Sequence, residues 1–477
     1  MAIKLHNSLT KQTEPLKPVR KGAVTVYNCG PTVYDYVHIG NLRSFLLADL
    51  LRRHLEARGL EVKQVMNITD VGHMLADADV GEDKMEAAAS KVGKTPQEVA
   101  AFYTEAFFRD IDRLGVRRAH VYPKASEHIP EMIAVIEKLL ANGLAYKVEE
   151  NGGTSIYYDV AAFPKYGQLS GNSIEGLNPG ARVEVRSEKK HPADFALWIH
   201  NPQHLLQWDA PWSRGYPGWH IECTAMSMKY LGESIDIHTG GEDNKFPHHE
   251  CEIAQAEGAT GREFVRVWLH VTHLMVDGEK MSKSKGNFYT LDDLIAKGYS
   301  PREVRYLLMS THYRQPLNFT LQGLESARGA LDRLDSFVDI LAAYSTELAG
   351  RTAGAAGKAS KEFLAALDED LNVAGALAVV FDLVREANEA LAAGKLTLKE
   401  KEAAVKFMKT VGEVLGFAFG RNVTEAELPA SVKLLIDRRD EARREKRFAE
   451  SDRLRDEIKA AGFQVEDTPA GRRIRRV

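Results

Sequence analysis

An α/β fold of the Rossmann type, interrupted by a small insertion and followed by a helical bundle, is what the sequence predicts, on three observations. Near the start, VTVYN at 24–28, an amphipathic run from Asn41 to Arg58 and EVKQVMNIT at 61–69 follow one another as strand, helix and strand, the order of a βαβ unit. Apolar runs return at SIDIH (234–238) and RVWLHVTHLMV (266–276), where β-branched and aromatic residues mark buried parallel strands. From about 325 the composition turns to Ala, Leu, Glu and Lys in three stretches of helical period, 328–347, 360–393 and 397–418, separated by Gly354, Gly357 and Gly394, which predicts three antiparallel helices.

Each element has its own signal. In the first helix Leu42, Phe45, Leu46, Leu50 and Leu55 recur on one face, and Gly59 stops it. Residues 126–205 differ from their flanks: an amphipathic helix at 129–142 precedes short strands, TSIYYDV and RVEVRS, punctuated by Gly and Pro. This stretch is therefore an insertion between two halves of the sheet domain, 1–125 and 206–290. Residues 291–325 lead to the bundle, 326–425, and 426–477 form a highly charged helical pair with a Gly- and Pro-punctuated end.

At 477 residues, with 44% hydrophobic and 27% charged residues, the chain has the balance of a soluble globular protein of several domains. No apolar run approaches the ~20 residues that span a bilayer, and MAIKLHNSLTKQ at the N-terminus has no apolar h-region. The expectation is a cytoplasmic protein without a membrane contact. Three widely spaced cysteines, Cys29, Cys223 and Cys251, make a poor disulfide framework and point to a metal site or a reactive thiol. The net charge of −4 gives no global basic footprint. From Lys433 onward, however, 14 Lys and Arg stand against 10 Asp and Glu, so this tail carries +4 and the rest of the chain −8.

Two segments have the make-up of phosphate-handling loops. CGPTVYDYVHIGN, 29–41, lies where the first strand gives way to the first helix, the place where unpaired backbone N–H groups and the positive helix end meet an anionic ligand. There Gly40 permits close backbone approach, His38 donates to a phosphate oxygen and Asn41 adds a neutral donor. Downstream, GEKMSKSKGN (278–287) sets Lys280, Lys283 and Lys285 among small hydroxyl residues, an arrangement that suits the charge growing on a leaving pyrophosphate. A third constellation comprises GWHIECTAM at 218–226 and FPHHECEIAQ at 246–255. His248 and Glu252, four apart, share one helix face and can meet one ion; Cys251, three from His248, reaches the same face, so spacing leaves both choices open.

The His-Ile-Gly-Asn element followed about 240 residues later by Lys-Met-Ser-Lys-Ser resembles the paired mark of class I aminoacyl-tRNA synthetases. Asn41 stands where many members carry a second His, and the cysteine enzymes are among those with Asn. The resemblance to cysteinyl-tRNA synthetases runs essentially the whole chain and includes Asn67-Ile68-Thr69-Asp70, Gly218-Trp219-His220 and His238-Thr239-Gly240-Gly241. It implies zinc ligands Cys29, Cys223, His248 and Glu252. It also implies an ATP site of Gly30, His38, Gly40, Asn41, Gly241, Asp243, Lys280, Met281 and Lys283, of which His38, Asn41, Lys280 and Lys283 serve catalysis, and an amino-acid pocket of Thr69, Trp219, His220 and His238. Residues 291–325 become a stem-contact region with the Lys-rich loop at its start, and 426–477 an anticodon-binding domain.

On that resemblance the substrates are ATP with Mg2+, L-cysteine and cysteine tRNA, the cofactor is one Zn2+, and the chain is a monomer. Cysteine and serine are nearly isosteric, so shape alone separates them by only about 1 to 3 kcal/mol. Zinc takes a thiolate readily and a neutral hydroxyl poorly, which makes a separate editing domain unnecessary. A cysteine:aminocyclitol ligase, which passes cysteine to a small amine, would not need 426–477. A non-catalytic tRNA- or nucleotide-binding paralogue would have lost phosphate or metal residues, all of which are present here. Two positions depart from the family: Cys251 replaces the more frequent Asn, and Ile474 replaces a Trp near the end.

Overall fold

A four-stranded parallel sheet forms the frame that positions the functional residues in the computed structural model, which describes residues 2–71, 84–150, 152–172, 189–282, 285–344, 355–420, 423, 428–468 and 471–476. Its strands are β1 (Ala23–Asn28), β2 (Glu61–Met66), β3 (Ile235–Gly241) and β4 (Val265–Val271), in the spatial order β4-β3-β1-β2. Every neighbouring pair is parallel, with Val26 opposite Gln64 on one side and Ile237 on the other. Val24, Val26, Tyr27, Val65, Ile235, Ile237 and Leu269 are buried, as expected of strands covered on both faces.

Helix α1 (Ile39–Ala57) connects β1 to β2, and α4 (His248–Thr260) connects β3 to β4. The two crossovers run in opposite directions from the centre of the sheet. Right-handed crossovers then lay α1 and α4 on opposite faces, and the strand order reverses between β1 and β3. Open α/β sheets hold their ligands at the carboxyl ends of the strands at such a switch point. Helices α2 (Ile129–Ala141) and α3 (Trp219–Leu231) pack with α4. Met132, Ile136, Leu139, Ile221, Met226, Ile253 and Ala254 join Tyr27 and Val65 of the sheet in one core.

The inserted stretch forms an antiparallel sheet of Ala145–Glu150, Gly153–Tyr158, Phe195–Ile199 and Tyr216–Pro217, in that order. Its last strand lies beyond residue 205, because Trp198 and Ile199 pair with Pro217 and Tyr216. The strand expected at RVEVRS lies outside the described residues. The run 266–276 is two strands rather than one: β4 ends at Val271, and Leu274–Val276 turns back on Glu279–Lys280 as a hairpin. Asp277 (φ 50°) and Gly278 (φ 80°) make that turn, with both central residues at positive φ as a tight hairpin of this twist requires.

The chain separates into two compact units, one of Met1–Asp112, Arg117–Leu274 and Tyr313–Leu317, the other of Arg113–Val116, Met275–His312 and Asn318–Val477. Helices Leu321–Ala343, Ala355–Asp368, Val373–Ala392 and Leu398–Leu415 make up the bundle part of the second unit. The expected single helix at 360–393 is thus broken. Asp370 and Leu371 take positive φ, and Asn372 caps the next helix by accepting from Gly375 N at 2.9 Å, a start signal inside an otherwise continuous helical period. Helices Ala430–Arg444 and Phe448–Ala460 and the hairpin Phe463–Thr468 with Gly471–Arg476 close the chain around a small core of Val432, Ile436, Ile458, Val465 and Ile474. No helix among the described residues is long and apolar enough to cross a membrane.

Candidate metal centre and phosphate loop

The carboxyl ends of β1 and β3 are locked together before any functional group is placed. Asn28 Nδ2 donates to Thr239 Oγ1 at 2.6 Å, Gln64 Nε2 donates to Asn28 Oδ1 at 2.7 Å, and Cys29 N donates to Thr239 O at 3.1 Å. Cys29 therefore leaves the sheet at a defined point in the crevice. Gly30 must follow it, since a Cβ there would lie 1.8 Å from Asn67 O.

Helices α3 and α4 bring three further donors to Cys29. Cys223, His248 and Glu252 are buried, Cys29 is half-buried, and the four donor atoms lie within 4.8 Å of one another. These are the four residues that the sequence assigned. An overlapping set, Cys29, His238, His249 and Glu252, meets the same limit. Two thiols, an imidazole and a carboxylate make a zinc-type donor set, and the first set carries both thiols. In that set His220 Nδ1 lies 2.9 Å from His248 Nδ1. This second contact holds the ring and leaves Nε2 facing the cluster, the usual arrangement of a ligating histidine. Glu252 Oε2 pairs with His238 Nε2 at 3.0 Å, while Oε1, 3.1 Å from His248 Nε2, accepts no hydrogen bond among the described residues. A fully buried carboxylate oxygen in this state fits a cation. Cys251, left open by spacing, turns instead toward Tyr166 Oη at 3.4 Å in the core, and belongs to neither set.

The electrostatics fit a cation as well. Burial opposes ionisation of Glu252, yet His238 and His248 hold its carboxyl down at about 2. The Cys29 partner and then burial push the Cys223 thiol well up. For Cys29 the hydrogen bond with Cys223 pulls down, but burial and the Glu252 charge outweigh it and leave the thiol raised. Without a cation both sulfurs keep their protons; a divalent ion reverses that.

Around the cluster Trp219 stacks on His248, ring centres 4.3 Å apart, and Trp268 on His238 at 4.7 Å. Thr69 Oγ1 accepts from Asn67 Nδ2 at 3.0 Å and donates to Glu222 Oε2 at 2.9 Å. Glu222, His249 and His270, all buried, are residues that sequence reasoning missed. Glu222 adjoins Cys223 and His249 adjoins His248, so adjacency to a ligand was the available signal.

The phosphate loop is built as a helix cap. His38 Nδ1 accepts from Gly40 N at 3.1 Å and Asn41 N at 3.2 Å, and Asn41 Oδ1 accepts from His38 N at 3.1 Å. This is a reciprocal capping box with His in the place usually held by Ser or Thr. A nitrogen that accepts two N–H groups carries no proton, so the His38 proton is on Nε2. Across the crevice Gly241 precedes the short turn Glu242–Lys245, which includes Asp243. Lys280 and Met281 lie in the second unit, at and just after the hairpin strand Glu279–Lys280. There Asn287 Oδ1 accepts from Ser282 N at 2.8 Å and Lys285 pairs with Glu279 at 2.8 Å. Lys283 lies outside the described residues.

In the basic tail the arginines divide. Arg439 is buried and held by Asp440 and Asp467, and Arg443 also pairs with Asp467. Arg447 pairs with Glu445 and Glu450, while Arg438 only approaches Glu450 at 4.0 Å. Arg444 and Lys446 make no ion pair among the described residues and are exposed, beside Phe448, which is 63% exposed. Ile474 packs inside the small core.

Comparison with known proteins gives a consistent result. Residues 15–329 match the family of tRNA synthetases class I (C) catalytic domain, 362–420 the DALR domain and 425–475 the cysteinyl-tRNA ligase anticodon binding domain. The chain is 44% identical to a cysteine–tRNA ligase of Thermus thermophilus, covering 100% of this chain and 99% of that protein. It is 45% identical to one of Symbiobacterium thermophilum, covering 100% of each. A Mycobacterium tuberculosis methionyl-tRNA synthetase in complex with methionyl-adenylate shares the fold, with a TM-score of 0.60 at 14% identity over 83% of this chain and 90% of that one. With a catalytic-family match over more than half its length and full-length relatives of this identity, the chain belongs to the cysteine–tRNA ligases, within the class I aminoacyl-tRNA synthetases.

Proposed function

We propose that the family reaction runs in the crevice between β1 and β3, with Zn2+ held by Cys29, Cys223, His248 and Glu252. L-cysteine is joined to the α-phosphate of ATP with release of pyrophosphate, and the cysteinyl group then passes to the terminal adenosine of cysteine tRNA. The convergence of two thiols, an imidazole and an orphaned carboxylate oxygen at the switch point carries this reading. Zinc bound there supplies a cation that prefers a thiolate to a hydroxyl.

The remaining groups bind and orient. Trp219, His220, His238 and Thr69 wall the amino-acid pocket, with Glu222 fixing the Thr69 hydroxyl. His38 offers its Nε2 proton, and Asn41, whose carbonyl is committed to the cap, offers its amide N–H groups. Both donate to ATP phosphates at the positive end of α1, with Gly30, Gly40, Gly241 and Asp243 around the nucleotide and Mg2+ on its phosphates. Lys280, Met281 and Lys283 meet the pyrophosphate. Catalysis is then positioning and charge stabilisation, with no protein nucleophile.

For the tRNA, residues 291–325 contact the stem, the bundle 326–425 supports it and 426–477 meet the anticodon. Arg444 and Lys446 supply phosphate contacts and Phe448 a stacking surface. We take the chain to work as a monomer in the cytoplasm, where three cysteines outside any disulfide fit a reducing compartment. ATP–pyrophosphate exchange tests the reading: Cys223→Ser should abolish exchange or raise the cysteine requirement, and unchanged kinetics would remove the metal from it.

A further inference from the structure

Behind Cys29 stands a chain of buried groups that the steps above do not use. His249 Nε2 lies 3.1 Å from Cys29 Sγ, His249 Nδ1 lies 2.7 Å from His270 Nε2, and His270 Nδ1 lies 2.8 Å from Ser8 Oγ. His249 is fully buried and His270 nearly so, whereas Ser8 is half-buried in the turn between the strands Lys4–Asn7 and Gln12–Pro15. Backbone fixes both ends: Ser8 N donates to Trp268 O at 2.9 Å, and a Cβ on Gly240 would lie 2.6 Å from His249 Cε1, so only the bare glycine leaves room for that ring.

A neutral imidazole donates from one nitrogen and accepts at the other, so the three contacts can run in only two directions. With Cys29 as a thiol, S–H donates to His249 and each link points toward Ser8. With Cys29 as a thiolate, sulfur only accepts. Ser8 O–H then donates to His270 Nδ1, His270 Nε2–H to His249 Nδ1, and His249 Nε2–H to Cys29 Sγ. With both rings neutral, no other arrangement satisfies all three distances.

We propose that Ser8, His270 and His249 are positioning residues that act in this second direction, holding the Cys29 thiolate in its rotamer and drawing charge from it, so that the metal keeps its affinity for the sulfur of the incoming cysteine. The proposal rests on the reading of Cys29 as a metal ligand. Outer hydrogen bonds of this kind change metal affinity or activity by about 10- to 100-fold in other sites. It also gives His249 a role other than ligation, since both of its nitrogens are engaged along the chain.

The test uses the full-length enzyme with Co2+ in place of zinc and reads the sulfur-to-cobalt charge-transfer band together with cysteine-dependent ATP–pyrophosphate exchange. His270→Leu removes the inner donor, His270→Gln keeps an N–H at similar reach, and Ser8→Ala removes only the outer one. His270→Leu should keep one metal per chain, move the band to lower energy and raise the KM for cysteine about tenfold, with the KM for ATP unchanged. His270→Gln should restore the band, and Ser8→Ala should move it the same way by less. An unmoved band in Ser8→Ala overturns the proposal, even if His270→Leu fails to fold. So does a folded His270→Leu that keeps both the wild-type band and the wild-type KM for cysteine. Absence of cysteine-dependent exchange in the wild-type enzyme would sink the functional reading instead, and leaves the band comparison standing.

Discussion

Individual side chains were legible in the sequence where their chemistry is rare and their spacing strict. His248 and Glu252, placed on one face by four-residue spacing, and Cys29 and Cys223, implied by the family resemblance, meet within 4.8 Å. His38 was expected to serve phosphate, but its first task is the cap of α1, and that task decides which of its nitrogens carries the proton. Spacing could not choose between Cys251 and Glu252, because both lie on reachable faces of α4; the Tyr166 contact decides it. His270 and Ser8 were illegible, since their relation to Cys29 is made by the sheet and by a distant N-terminal turn, and His249 offered only its adjacency to His248. Two outcomes belong at this scale. Phe448→Ala should raise the KM for tRNA about tenfold, the cost of roughly one stacked base, and leave pyrophosphate exchange unchanged; an unchanged tRNA KM would remove Phe448 from the interface. Gly240→Ala should displace His249 and lower metal content after dialysis, measured by elemental analysis.

At the scale of elements, strands and helices with a single clear period were legible, and failures came where one period hides two elements. The run 266–276 keeps its apolar character through the point where Arg43, itself buried, takes the carbonyls of Thr272 and His273. The strand that follows belongs to a hairpin instead of the parallel sheet. Residues 360–393 keep a helical period across Asp370 and Leu371, yet both take positive φ and end the helix there although neither is a glycine. Helix Leu398–Leu415 starts on a capping box, Thr397 with Glu400. Thr397→Ala should lower stability by about 1 kcal/mol, seen as a reduced midpoint in urea, with cysteine activation intact.

Across the whole molecule, the order of parts follows from composition shifts, whereas the role of the charged tail did not. An excess of four positive charges suggested a phosphate-binding face, yet Arg439, Arg443 and Arg447 are spent on Asp467, Glu445 and Glu450. Only a structure shows which cations remain for a polyanion; among the described residues Lys433, Arg444, Lys446 and Lys459 are exposed and in no ion pair. Removal of residues 425–477 should leave exchange with cysteine in place and reduce charging of full-length tRNA far more than charging of an acceptor minihelix. Equal losses on both RNAs would place the contact elsewhere. The central claim, that a protein-held cation selects the substrate by its sulfur, meets its most direct test in one preparation assayed with cysteine and serine side by side, with metal content measured on the same sample. One zinc per chain, exchange with cysteine and none above background with serine are expected; an active metal-free enzyme, or comparable exchange with serine, would contradict it.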